Sequence, residues 1–134
     1  MQATVLLCDY AEEVGGKLYV MGGGWSLLHA QGPSQMALAI KLGVPWDQTN
    51  RPLALRAALV DEDGQPVAQP DGAPVEFNAS VEVGRPVGLP PGTILDAPLA
   101  VRFAGLTLAP GGYRWDVTVA DQVVATVPFR VMDG

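Results

Sequence analysis

The sequence predicts one all-β domain, an antiparallel Greek-key sandwich of about eight strands, and three observations predict it. Apolar residues recur at every second position through most of the chain, the period of a half-buried strand. Glycine and proline, 16 and 12 residues, punctuate that alternation as turns do. No segment holds a three-to-four-residue apolar period for the length of a helix.

The 134 residues fit a single domain spanning 1–134, and a chain of that length buries roughly two-thirds of the surface it exposes when unfolded. It can therefore hold a core without metal or disulfide staples. A composition 49% hydrophobic and 16% charged sets it apart from disordered chains.

The strands follow in order. Thr4 to Cys8 is an apolar run. Lys17 to Ala30 reads as one long strand interrupted by Gly22-Gly23-Gly24, glycines that mark a bulge or a close backbone approach. A phosphate-binding loop needs a helix N-terminus after it, and Trp25-Ser26-Leu27-Leu28 does not open one. Met36, Leu38, Ile40 and Leu42 form an inward set, as do Leu53, Leu55, Ala57 and Leu59. From Val75 to Val83 the odd positions are apolar and the even ones are Glu76, Asn78, Ser80 and Glu82, giving one dry and one wet face. Leu99, Val101 and Phe103 follow. Tyr113, Trp115, Val117 and Val119 face inward next, and Val123, Ala125, Val127, Phe129 and Val131 close the series. Pro128 lacks a ladder donor and favours an edge position for this last strand. Turns are expected at Glu13–Gly16, Gly32-Pro33, Asp63-Gly64, Pro70–Gly72, Pro90–Gly92 and Pro110–Gly112.

Two stretches carry resemblances. Leu108-Ala109-Pro110-Gly111-Gly112-Tyr113-Arg114-Trp115 resembles the tyrosine corner of immunoglobulin-like and fibronectin-type sandwiches, in which the Tyr hydroxyl returns to the backbone a few residues upstream. The resemblance covers about the last 35 residues and implies an immunoglobulin-like fold without a function. The stretch from Leu6 to Trp25 (LLCDYAEEVGGKLYVMGGGW) is similar to the opening of a family of small bacterial proteins, frequent in actinobacteria, whose function is unknown. That resemblance implies a stand-alone small bacterial protein and brings no activity or ligand.

The charge balance narrows the function classes. The net charge is −6, and the eight Lys and Arg residues stand singly, so nucleic acid and anionic membrane surfaces are not expected partners. No apolar run approaches the length of about 20 that spans a bilayer, and residues 1–4 lack the basic start of a secretory leader. One cysteine, Cys8, cannot form an internal disulfide. A reducing, cytoplasmic setting is the expectation.

Catalysis finds no constellation. His29 is the single histidine, and Ser26, three residues away along a strand, falls on the opposite face. Cys8 lies in an apolar run, where buried, inert thiols are common. One Cys and one His are too few for zinc. No cofactor is expected and no enzymatic activity.

Two binding readings remain. In the first, Tyr10 and Trp46 sit in loops 9–16 and 44–52 at one pole, beside Arg51. They form a patch for a protein partner, since Tyr, Trp and Arg dominate interface hot spots, or an edge strand pairs two copies into a homodimer. The opposing possibility is that Trp46 folds back as a lid on the core. In the alternative reading, a calcium- or small-ligand-binding sandwich, Asp9, Glu12, Asp47, Asp96 and Asp121 gather at that same pole, as oxygen ligands in the case of calcium, although Asp also populates loops simply because it makes turns.

Overall fold

The computed structural model describes residues 1–30 and 32–134. Nine strands are formed among them: β1 (Gln2–Val14), β2 (Lys17–Gly23), β3 (Leu27–Ala30), β4 (Ser34–Val44), β5 (Pro52–Asp61), β6 (Glu76–Glu82), β7 (Leu95–Leu106), β8 (Gly111–Val119) and β9 (Gln122–Asp133). A single 3-10 turn, Trp46–Gln48, separates β4 from β5. The strands form two sheets, β2-β1-β4-β7 and β3-β9-β8-β5-β6, called the first and second sheet below. The chain crosses between them so that β7 returns beside β4 and β8 beside β5. This two-layer arrangement is the sandwich expected from the alternation, in the immunoglobulin-like form implied by the tyrosine-corner resemblance. No helix among the described residues is long and apolar enough to cross a membrane.

The core lies between the layers and consists largely of the alternating positions. Met36, Leu38, Ile40 and Leu42 are fully buried, and Leu53, Leu55, Ala57 and Leu59 face them. Trp115 is buried at the centre, its ring stacked on Phe103 with centroids 4.4 Å apart. Trp25 packs edge-on against Phe129 at 6.2 Å. Offset and edge-on ring pairs of this kind add to what area burial alone supplies.

Three features depart from the strand reading. The Lys17–Ala30 segment is two strands in different sheets, not one bulged strand. Gly22 and Gly24 adopt φ of +63° and +90°, a region closed to most side chains, and let the chain leave β1 and cross to β9. There β3 pairs in parallel with Arg130–Asp133. In β9 the pairing with β8 slips between Val117 and Thr118, and the extra residue reverses the phase. Val124 therefore packs on the core and Val123 is 65% exposed, against the expected inward Val123. Pro128 lies just before β3 joins at Arg130, so only the preceding part of β9 is a free edge.

The third departure concerns β1, which continues to Val14 as a strand. Its first part, Gln2–Cys8, pairs with β4, and its second part, Cys8–Val14, pairs with β2. A tight turn at Gly15-Gly16 joins the two strands of this ribbon, with both glycines at positive φ and the Gly16 amide donating to Glu13 Oε2 at 2.8 Å. Past Cys8 the ribbon folds over the outer face of its own sheet. Ala11 and Leu18 pack there on Cys8, Ala37, Ala39 and Ala100. Ala37 and Ala39, which simple alternation would leave in water, are buried as a result.

The tyrosine corner is present. Tyr113 donates its hydroxyl to the Ala109 carbonyl at 2.6 Å, closing the β7–β8 crossover. Burial, and then the Asp61 and Glu62 carboxylates, push the Tyr113 phenol above its ordinary value of 10. The folded state thus holds that proton more tightly than the unfolded chain. The associated stability is complete below pH 10 and is lost as pH rises through the folded value. Tyr113→Phe is expected to cost about 1 kcal/mol and about 3–6 °C of Tm. In a thermal series above pH 10 it should also flatten the alkaline fall in Tm that the parent chain shows. An unchanged Tm together with an unchanged alkaline slope would remove the corner from the list of structural supports.

Alanine at 39 permits the ribbon to lie flat. Ala39→Leu overfills that seam at about 1–3 kcal/mol. It should also speed tryptic cleavage after Lys17, at the ribbon's tip, by lifting the ribbon from the sheet; denaturant unfolding and timed proteolysis read the two effects separately.

Candidate functional site

Each residue singled out in the sequence has a defined place. Trp46 opens the 3-10 turn after Pro45. The Thr49 hydroxyl closes that turn on the Trp46 carbonyl at 2.7 Å. Asn50, at φ +60°, then donates its amide to the Val83 carbonyl at 2.7 Å and accepts the Arg85 amide on Oδ1 at 3.3 Å. These bonds tie the β4–β5 and β6–β7 connections together and set the Arg85 guanidinium 4.3 Å above the Trp46 ring. The half-buried ring is thus neither a bare hot spot nor a simple lid. It is one half of a cation–π pair.

Tyr10 is not in a loop. It lies on β1 opposite Met21 of β2. The Arg102 guanidinium of β7 sits 5.3 Å from its ring centre and donates to the Ala11 carbonyl at 3.2 Å and to the Tyr10 hydroxyl at 3.5 Å. Arg102 therefore clamps the ribbon onto the edge of the first sheet. Tyr10 and Trp46 each have their own guanidinium, and Arg51 is the partner of neither: it is exposed and, among the described residues, carries no ring or carboxylate contact. The single patch of Tyr10, Trp46 and Arg51 is replaced by two separate aromatic–guanidinium pairs. Arg85 and Arg102 had no mark in the sequence beyond being isolated cations, because their partners lie 39 and 92 residues away (85 − 46 and 102 − 10).

The five carboxylates of the calcium reading are likewise dispersed. Asp9 and Glu12 are in β1, Asp47 in the 3-10 turn, Asp96 in β7 with Lys41 at 3.7 Å, and Asp121 in the β8–β9 turn at φ +64°. Among the described residues no three His, Cys, Asp or Glu side chains converge as metal ligands must. The strand geometry of β1 is the reason, since it directs Asp9 and Glu12 to opposite faces.

His29 is exposed on β3, with Nδ1 3.4 Å from the Asp133 carbonyl. Cys8 is fully buried, its thiol 3.4 Å from the Ala37 carbonyl. Burial, and then the Asp9 carboxylate, push that thiol above its ordinary value, so the reactive thiolate is scarce at neutral pH.

Exposed apolar side chains gather on the ribbon, while Leu27, Val87, Ile94, Val123 and Met132 are exposed elsewhere. Tyr19 and Met21 of β2 are 55% and 67% exposed, and Val20, Val14 and the adjoining Leu6 are exposed with them. Strand β2 pairs only with β1 and is the outermost strand of its sheet, so its second row of backbone donors and acceptors is unpaired. From Leu18 to Gly23 it carries no charge and no proline. By contrast, the outer face of the second sheet carries ion pairs beside the exposed Val123: Arg56 Nη2 meets Glu76 Oε2 at 2.7 Å, and Arg114 Nε meets Asp116 Oδ1 at 3.0 Å.

Sequence comparison adds a family. Residues 3–132 match the group described as a family of unknown function, DUF6941. The chain belongs to the DUF6941 family. No curated protein matches this DUF6941 chain in sequence. Its sandwich is similar to three solved structures at low identity. A CARDB domain from Pyrococcus furiosus, solved with two metal ions, shares 13% identity at a TM-score of 0.39, over 98% of this chain and 90% of that one. A DNA glycosylase, AlkC, from Pseudomonas fluorescens shares 14% at 0.38, over 79% and 27%. A β-glucosidase from Listeria innocua shares 11% at 0.42, over 98% and 16%. At these similarities, the metal, DNA or sugar ligands of those proteins do not bear on the DUF6941 chain.

The burial of Cys8 sets a chemical test. A thiol reagent at pH 8 should leave native Cys8 unmodified on a timescale that fully labels the denatured chain, and Ala39→Leu should accelerate native labelling. Rapid labelling of the native parent chain would place the ribbon off the sheet.

Proposed function

We propose that this DUF6941 chain is a non-enzymatic interaction module that docks a protein partner along the ribbon, chiefly at the open edge of β2. One observation carries the reading: Leu6, Val14, Tyr19, Val20 and Met21 expose apolar side chains around a strand edge that, from Leu18 to Gly23, has neither a charge nor a proline to block pairing. Soluble chains normally blunt such edges, and a contiguous apolar patch on a monomer often marks an interaction site. An incoming extended backbone would gain main-chain hydrogen bonds from β2 and side-chain contacts from Tyr19 and Met21, the pattern of strand addition. The Arg102 clamp and the alanine floor support this use by holding the edge in one position before binding, which lowers the ordering cost of association.

A photo-crosslinking residue placed at Met21 tests the reading in the cell against the same residue at Asn78, on the outer face of the second sheet. Discrete crosslinked products are expected from position 21 and not from position 78. Equal products at both positions, or none at 21, would refute an interaction role for the ribbon.

A further inference from the structure

We propose that the partner for β2 is β2 of a second copy of this chain, paired antiparallel about Tyr19. This deepens the interaction reading and rests on it.

The outermost strands and the free part of β9 differ in how they are protected, the last of these by Pro128. Strand β3 is four residues long, β6 carries Glu76 and Glu82 at its ends, and β7 carries Pro98 and Asp96. Short length, charge and proline each discourage edge pairing. β2 has only Lys17, at its first position.

Charge favours a copy of this same strand over other surfaces of the chain. Two copies with a net charge of −6 each repel one another, so self-association must avoid acidic surfaces. β2 itself has no acidic residue and contributes one positive charge, and the nearest carboxylates, Glu12 and Glu13, stand one strand behind it on β1, opposite Tyr19 and Leu18.

The backbone chooses the alignment. Gly22 turns to φ +63°, so the extended run available for a ladder is Lys17–Met21, whose midpoint is Tyr19. A two-fold axis perpendicular to the sheet at that point keeps the same face up in both copies. It places Tyr19 opposite Tyr19, Leu18 opposite Val20 and Lys17 opposite Met21. Apolar residues then meet across the ladder, and each ammonium faces a thioether rather than its own counterpart. The two ribbons become one four-stranded antiparallel ladder spanning the pair, with β2 no longer an edge.

Area sets the strength. The exposed apolar side chains offer on the order of a few hundred Å² per copy, so the pair buries about 1,200 Å² or less, at the low end for specific complexes. The dimer tightens with added salt, because screening removes the repulsion between the two acidic bodies.

Sedimentation of the full chain from micromolar to near-millimolar concentration tests this, with Met21→Lys, Met21→Glu and Tyr19→Cys as variants. The expected mass rises from 14.0 kDa towards twice that value, and rises further at high salt. Met21→Lys sets like charges opposite each other at both ends of the ladder and weakens association at least about tenfold, equivalent to about 1.4 kcal/mol. Met21→Glu faces Lys17 of the other copy and keeps or tightens association. Tyr19→Cys forms a disulfide between copies on oxidation, within the reach of directly opposed strand residues. Both Met21 substitutions are at an exposed position, and an unchanged Tm confirms that each variant is folded. Equal weakening by Lys and Glu, or dimerisation indifferent to both, overturns this pairing. A chain that stays monomeric at every concentration also overturns it. If position 21 still crosslinks to a heavier species in the cell, that monomer leaves the interaction reading intact and excludes only the second copy.

Discussion

The seat of the β1–β2 ribbon on an alanine floor is the contact on which the exposed surface of this protein depends. An antiparallel sheet ordinarily buries one face and leaves the other to water. Here the first sheet is covered on both. Met36, Leu38, Ile40 and Leu42 fill the space between the layers, and Ala37 and Ala39 lie beneath Ala11 and Leu18 of the ribbon. Only small side chains let a second backbone approach so closely, because interiors have no spare volume for added methylenes. Arg102 completes the arrangement by satisfying the Ala11 carbonyl at the rim. With its inner face so occupied, the ribbon presents Tyr19, Met21 and the free edge of β2 to solvent as a rigid set.

Much of the fold was legible because burial in a sandwich follows a two-residue period. The inward sets in β4, β5, β6 and β8 could be read from alternation, and the tyrosine corner from the spacing of Pro110, Gly111, Gly112 and Tyr113. What escaped was written in geometry that alternation does not encode. Ala37 and Ala39 looked like outward filler because small residues fit both water and a tight seam. The glycine run looked like a bulge because a change of sheet and a bulge use the same residue. Val123 looked buried because one inserted residue, not visible in composition, reverses the phase of everything before it.

The site was less legible, for a related reason. Sequence reasoning paired Trp46 with Arg51 because they are neighbours in the chain, whereas the guanidinium above the ring comes from Arg85, positioned by the hydrogen bonds of Asn50. Tyr10 was assigned to a loop because it lies just past the apolar run Thr4 to Cys8. A ribbon that leaves one strand partner and keeps another is still a strand, however, and its Asp and Glu side chains splay to both faces. A carboxylate cluster at a pole requires loops, and much of the expected loop is β-structure.

The parallel pairing of β3 with β9 has a consequence for how the chain reaches its native state. It joins residues such as His29 and Asp133, 104 positions apart in the sequence, and closing so long a loop carries an entropic cost that grows with its length. Folding rate falls as contacts become less local, so β3 cannot be fixed until nearly the whole polypeptide has collapsed. The ribbon, whose strands are local partners, forms early by comparison. During that interval the bare edge of β2 is on offer to every other unfinished chain nearby. That bare edge is then a hazard during biogenesis, and the net charge of −6 works against the approach of other immature copies.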